Sequence, residues 1–436
     1  MAPPTNYIRK ESKMRVVIVG GGWAGCAAAI AARKQGAEVI LLERTDMLLG
    51  CGLVGGIMRN NGRHTAAEEM LAMSGGDLFR ITDRTSLHQN MDFPAHRHAS
   101  MYNSSIIEPV VKKFLLDKGV EIRLITRIDD AEMKDGLIKA VTGKTKEEKV
   151  RIEGNAFIDT TGTAGPPAQC IKYGNGCAMC ILRCHSFSGR VSLAAKCGVT
   201  EMIGKKGDRI GAMSGACELH KETLAREIVD TLEKTGVVVI PIPVELQSKG
   251  KLEIKACQQY ALPEFSDNLV ILDNGHAKLM VPFFPLEAIR KLPGMEQARY
   301  KDPYAGGQGN SIRYIGMAPR DDALKVKGVE NLFCAGEKAG LLVGITEAMV
   351  TGELAGHNAA KWIKKEKLLV FPDTLAVGDA ISYVRTRMET EEGLGYKYTF
   401  SGSVYFDRML EKNLYLTDPE EIKKRIEKAG MKGVFA

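Results

Sequence analysis

Short, largely apolar runs recur along the chain and set its framework. Met14–Val19 (MRVVIV) is apolar and β-branched without alternation, which predicts a buried parallel strand. Cys26–Lys34 (CAAAIAARK) reads as an alanine-rich helix, Gly36 ends it, and Ala37–Leu42 (AEVILL) is a second strand closed by Glu43. Together they make a complete βαβ unit. Residues 46–100 are punctuated by glycine and histidine with little periodicity, and read as loops and short helices over a site. Apolar residues fall on one stripe over Asn103–Lys118, predicting a helix, and Val120–Ile125 alternates as a strand. Asp135-Gly136 and the charged run 144–149 read as hairpin turns, and Ala156–Asp159 as a short apolar strand. Pro166-Pro167 marks a boundary, after which 165–315 mixes strand and helix signals. Val329–Ala335 is again a buried strand, Ile345–Ile363 a long helix, and Asp418-Pro419-Glu420-Glu421 opens a last helix over 419–428.

The first βαβ unit carries chemistry in its turn. Gly20-x-Gly22-x-x-Gly25 stands between strand and helix, and the acid Glu43 closes the second strand 18 residues past Gly25. Gly20 permits the tight turn, Gly22 lets backbone approach a pyrophosphate, and Gly25 lets helix and strand pack. Trp23 and Ala24 fill the turn, at a helix N-terminus that offers free N–H groups to phosphate. Glu43, with Arg44 beside it, is placed for a ribose. Thr161-Gly162 and Gly336-Glu337 end two further strands, which would lie beside the first at the carboxyl edge where ligands bind.

A chain that returns to its nucleotide domain after a long insertion resembles the FAD-dependent glutathione-reductase superfamily. NLFCAGEKAGLLVGITEAMVTGELAGHNAA (331–360) resembles the flavin motif of its GidA/TrmFO branch, and FPDTLAVGDAISYV (371–384) a segment of folate-dependent tRNA (uracil-5-) methyltransferases. LLGCGLVGG (48–56) stands where those enzymes carry a cysteine beside the flavin. The resemblance implies that Glu337 holds the ribityl chain. It also implies that Gly344, Ile345 and Thr346 open a helix toward the flavin pyrimidine, and that Gly50 and Cys51 lie near the isoalloxazine. It covers residues 14–60, 150–165 and 325–385 and fades across 165–320, where substrate would be chosen.

The implied fold is α/β, a discontinuous Rossmann-like FAD-binding domain with an inserted α+β substrate domain. The expected boundaries are 1–165 and 320–385 for FAD, 166–319 for substrate, and a C-terminal helical segment over 386–436. The expected function is two-electron transfer through flavin N5, with a small-molecule substrate first and an RNA uridine as the alternative. A third reading is an electron-transfer subunit. Only one GxGxxG stands between a predicted strand and a predicted helix, so NAD(P)H would dock transiently at the flavin rather than in a domain of its own.

Composition narrows the rest. Apolar residues make up 44% and charged residues 26% of 436, which excludes wholesale disorder. No apolar run approaches 18 residues, so no membrane span is expected. A net charge of +7, spread along the chain, is explained by solubility before RNA binding. Ten cysteines are far from a disulfide scaffold, and the cytoplasm is the expected compartment. A homo-oligomer stays open.

Cys51 is a candidate nucleophile or redox partner of the flavin. Cys177-x-x-Cys180-x-x-x-Cys184 admits three readings: zinc or an iron–sulfur cluster, a redox pair of Cys177 and Cys180, or buried thiols. Cys170, His185 and Cys197 compete as a fourth ligand. His96-Arg97-His98 could supply a general acid, and Arg183 and Arg190 could clamp an anionic substrate.

Overall fold

The computed structural model describes residues 14–162, 184–206, 209–210, 212–214, 217–247, 262–280, 284–301, 311–313 and 316–436. Its centre is a five-stranded parallel sheet in the order Leu332–Cys334, Ala156–Asp159, Arg15–Val19, Glu38–Leu42, Glu121–Arg123. Val17 stands in register between Phe157 and Ile40, and all three are buried. Strands buried on both faces need no polar alternation, which is why they read as plain apolar runs.

The opening helix (Trp23–Lys34) and the returning helix (Ile345–Ile363) lie side by side on this sheet. Their spacing is set by glycine. A Cβ added at Gly352 would lie 2.3 Å from the Ala24 carbonyl oxygen, and one at Gly356 2.1 Å from that of Ala28. The two helix backbones therefore touch, with small residues on both faces, and close contact of this kind brings both N-termini to the same edge of the sheet. A hairpin pair over Arg127–Lys134, Leu137–Lys144 and Lys149–Glu153 packs nearby, turning at Asp135 and Gly136, both at positive φ as a tight hairpin requires.

Residues 46–100 hold the short helices expected there, Gly62–Ala72 and Asp77–Arg84, and in addition a strand pair that was not expected, Ser86–Phe93 with His96–Tyr102. The first helix is buried on nearly every side, Arg63 and Glu69 included, so it shows no apolar stripe. Register shifts between the two strands break the period-two pattern that would have revealed them.

The inserted part builds its own antiparallel sheet, in the order Cys217–Leu219, Ala277–Leu279, Asn268–Asp273, Val237–Pro241. One face packs against the helix Arg226–Thr235 through Leu232, Leu269 and Ile271. The other packs against Ile57, Met91 and Met101 of the preceding strands. The C-terminal segment places Tyr398, Phe400, Tyr405, Ile422 and Ile426 in the same core as the parallel sheet. Its last helix is Pro419–Lys428, with the Asp418 carboxylate accepting from Glu420 N at 2.8 Å. Phe435 lies edge-on to His357 and Phe371.

Two carboxyls in this core cap other segments. Glu69 accepts from Ala376 N and Val377 N at 2.9 and 3.0 Å, and Glu353 from Gly76 N at 2.9 Å. Burial pushes each up to about 7 from 4.5. A carboxyl with a raised folded pKa lends its full stability below the unfolded value and loses it as pH climbs through the folded one. Glu353→Gln keeps an acceptor for Gly76 N without the cost of ionisation. We expect it to match the parent in urea unfolding near pH 4.5 and to exceed it by about 2 kcal/mol at pH 8. An equal difference at both pH values would contradict this.

Candidate functional site

The strand ends and the two helix N-termini enclose a cleft of about 1200 Å³, its open mouth included. The glycine turn forms one wall. Gly20 sits at φ +113, and a Cβ there would lie 2.4 Å from the Thr160 carbonyl oxygen. A Cβ at Gly25 would lie 1.9 Å from the Gly20 oxygen, so Gly25 serves helix–strand packing and does not line the cleft. Gly22, by contrast, has nothing within 4 Å of its missing side chain and faces open space. It is the N-cap of the opening helix, and neither it nor Gly344, the N-cap of the returning helix, carries a side-chain cap. Two helices thus present uncapped N–H groups to one cavity, an arrangement that favours anionic groups.

Glu43 braces the turn. Its Oε2 accepts from Gly21 N at 2.7 Å and its Oε1 from Thr45 N at 2.8 Å. Each carboxylate oxygen has a further lone pair for a hydroxyl. Thr160 Oγ1 donates to the Gly20 carbonyl at 2.7 Å, tying the end of the strand Ala156–Asp159 to the turn. Asp159 is wholly buried. Its Oδ1 accepts from Thr161 N at 3.0 Å and its Oδ2 from Ala194 N at 2.8 Å.

That last bond anchors a strap over the cleft mouth. Arg44 donates to the Ser188 carbonyl at 2.7 Å and Arg127 to that of Gly189 at 3.2 Å. Arg190 then reaches in, its Nη2 donating to Cys51 Sγ at 3.2 Å. Cys51 is half-buried in a 3₁₀ turn, Gly50–Val54, entered through Leu49 and Gly50 at positive φ. The Trp23 indole fills the space where Gly52 lacks a side chain; a Cβ there would lie 1.9 Å from Nε1.

Of the residues singled out in the sequence, Gly20, Gly22, Trp23, Ala24, Glu43, Arg44, Gly50, Cys51, Thr161, Gly162, Gly336, Glu337, Gly344 and Ile345 line this cleft. Thr346 does not: it is fully buried and is not among the lining residues, though Ile345 and Ala348 are. His96 is also elsewhere, buried between the Phe93 and Phe265 rings with its Nδ1 beside the amides of Asn60 and Asn61. Cys170, Cys177, Cys180 and Arg183 lie outside the described residues, as do the side chains of Cys184 and His185. Among the described residues no group of three His, Cys, Asp or Glu is arranged to hold a metal. Burial, with Asp159 and Asp130 nearby, pushes the Cys197 thiol up to about 12. Sequence reasoning missed Thr126, Arg127, Ile128 and Thr160 as lining residues. Their only signal was position: Thr126, Arg127 and Ile128 where the strand Arg127–Lys134 begins, Thr160 at the carboxyl end of strand 156–159.

Residues 15–165 match the family described as FAD dependent oxidoreductase, and residues 267–367 match Glucose inhibited division protein A. The chain is GidA-like. Aquifex aeolicus GidA in its form II crystal covers 97% of this chain and 74% of its own length, at TM-score 0.66 and 16% identity. In form I the figures are 95%, 78%, 0.63 and 16%. The tRNA uridine 5-carboxymethylaminomethyl modification enzyme MnmG of Desulfotalea psychrophila is 22% identical over 422 residues, 82% of this chain. This GidA-like chain spans 62% of that relative's length. Its Rossmann-like part binds FAD, and the cleft fits that group: open space at Gly22, two uncapped helix N-termini and an acid at the second strand's end. No helix among the described residues is long and apolar enough to cross a membrane.

Proposed function

We propose that the chain is a flavin enzyme that modifies a uridine in RNA, with FAD across the carboxyl edge of the sheet and Cys51 facing its ring. The supporting observation is the extent of the likeness to a tRNA uridine modification enzyme. It runs over 82% of the chain, and the match to the GidA family begins at residue 267, inside the insertion. A shared cofactor alone would account only for the FAD part.

In this reading Gly20, Gly22, Trp23 and Ala24 bring backbone N–H groups to the pyrophosphate. Glu43 takes the ribose hydroxyls while holding Gly21 N and Thr45 N. Gly336 and Glu337 meet the ribityl chain, and Gly344 and Ile345 aim the returning helix at the pyrimidine. FAD, when bound, supplies two-electron chemistry at N5. Arg190 sets a positive charge against the Cys51 sulfur, the group placed to act as nucleophile. Arg44 and Arg127 hold the strap that carries Arg190 against the cleft.

Two measurements test it. Nucleosides of tRNA from cells with and without the gene, read by mass spectrometry, are expected to differ by one modified uridine, and Cys51→Ser in place of the parent to leave that difference unrepaired. Binding of the FAD-loaded protein to a tRNA transcript is expected to weaken at least about tenfold between 50 and 200 mM salt. Identical nucleosides, with RNA binding indifferent to salt, would return the chain to a small-molecule oxidoreductase.

A further inference from the structure

The turn that carries Cys51 is held from behind, by its carbonyls. Gly52 O accepts from the Tyr102 hydroxyl at 2.6 Å, Val54 O from the Lys278 ammonium at 2.7 Å, and Gly55 O from the Asn274 amide at 3.3 Å. Gly52 O also takes the turn's own bond from Gly55 N at 3.1 Å, but the Val54 and Gly55 carbonyls lie at the end of a short 3₁₀ turn and take their donors from elsewhere. Two of the three donors come from the inserted sheet. Lys278 is in the strand Ala277–Leu279, and Asn274 follows the strand Asn268–Asp273.

Both donors are built in. Lys278 is only 4% exposed and stands directly opposite Glu218 in the sheet register. Glu218 Oε1 accepts from Asn274 Nδ2 at 2.7 Å, and its Oε2 faces Lys301 at 3.3 Å. Asn274 is wholly buried, and its own carbonyl accepts from Ser104 N and Oγ, both at 2.9 Å. Gly56, at φ +97, closes the contact: a Cβ there would lie 2.6 Å from the Asn274 Cβ. The apolar packing between insertion and hairpin would hold the two parts together without any of this. An ammonium is costly to bury, and a neutral residue would serve that packing better. Here the ammonium is set on the Val54 carbonyl of the turn.

We infer that Lys278 and Asn274 are positioning residues through which the inserted part sets where the Cys51 thiol stands in the cleft. A shift of the inserted sheet pulls on Val54 and Gly55, and the strained entry at Leu49 and Gly50 makes the turn between them the segment that gives. Whatever binds the insertion is thereby coupled to the thiol. The consequence for catalysis rests on the proposal that Cys51 faces the flavin; the latch itself does not.

The test is the rate at which N-ethylmaleimide labels the Cys51 peptide in the full chain, followed by mass spectrometry against the Cys197 peptide as internal reference. Lys278→Met is expected to raise Cys51 labelling at least about fivefold through local release of the turn, with Cys197 unchanged. Lys278→Arg, which keeps a cationic donor, is expected to stay within about twofold of the parent. Asn274→Ala provides a second, independent release if Lys278→Met does not fold. Parent-like labelling in the folded variants, or equal rises at Cys51 and Cys197, would overturn the inference. Protection of parent Cys51 by added FAD is read separately. Its absence would count against the flavin-facing thiol and leave the latch standing.

Discussion

Gly356→Val is expected to cost about 3 kcal/mol of stability, because overpacking against backbone cannot be relieved by a rotamer change. The added Cβ would meet the Ala28 carbonyl at 2.1 Å, and Gly352 makes the same demand against Ala24 one turn away. Pushing the returning helix off the opening helix also misaligns the two N-termini that share the cleft. The variant should therefore lose FAD retention along with its urea midpoint. A parent-like midpoint with bound flavin would mean that the helices can separate without consequence, and the account of the cleft given above would fail.

Glu43→Ala is expected to weaken FAD binding about 100-fold, the loss that corresponds to one or two charge-assisted hydrogen bonds. Gly21 N and Thr45 N lose the acceptor that holds them, and the ribose loses its partner. Glu43→Gln keeps an acceptor for one N–H and should fall between the two. Titration of apoprotein with FAD, read by flavin fluorescence, separates the cases. An affinity within about threefold of the parent would place the adenosine half elsewhere, since a lost hydrogen bond to a charged group costs more than that.

The elements that were legible beforehand share a property: their pattern is local. The strand Arg15–Val19 is apolar at each position from Val16, the turn at Asp135-Gly136 has its own chemistry, and Asp418-Pro419 caps the helix that follows. The bounds of the helix Gly62–Ala72 could not be read because Arg63 and Glu69 on it are buried and paired. Arg63 donates to both oxygens of Glu347 at 3.2 Å, from a partner 284 residues away. No window of sequence contains that pair, so the helix looks polar where it is in fact enclosed.

The sequence by itself determined the first βαβ unit, the glycine turn and the acid that braces it, because each depends on residues within some thirty positions of one another. Only the tertiary structure decided what stands around Cys51. Arg190 at its sulfur, Tyr102 at Gly52 O, and Lys278 and Asn274 at the next carbonyls lie between 50 and 224 residues from their partners. Hydrogen bonds of that separation are fixed by how the sheets pack, which is a property of the folded chain and leaves no periodic trace along it.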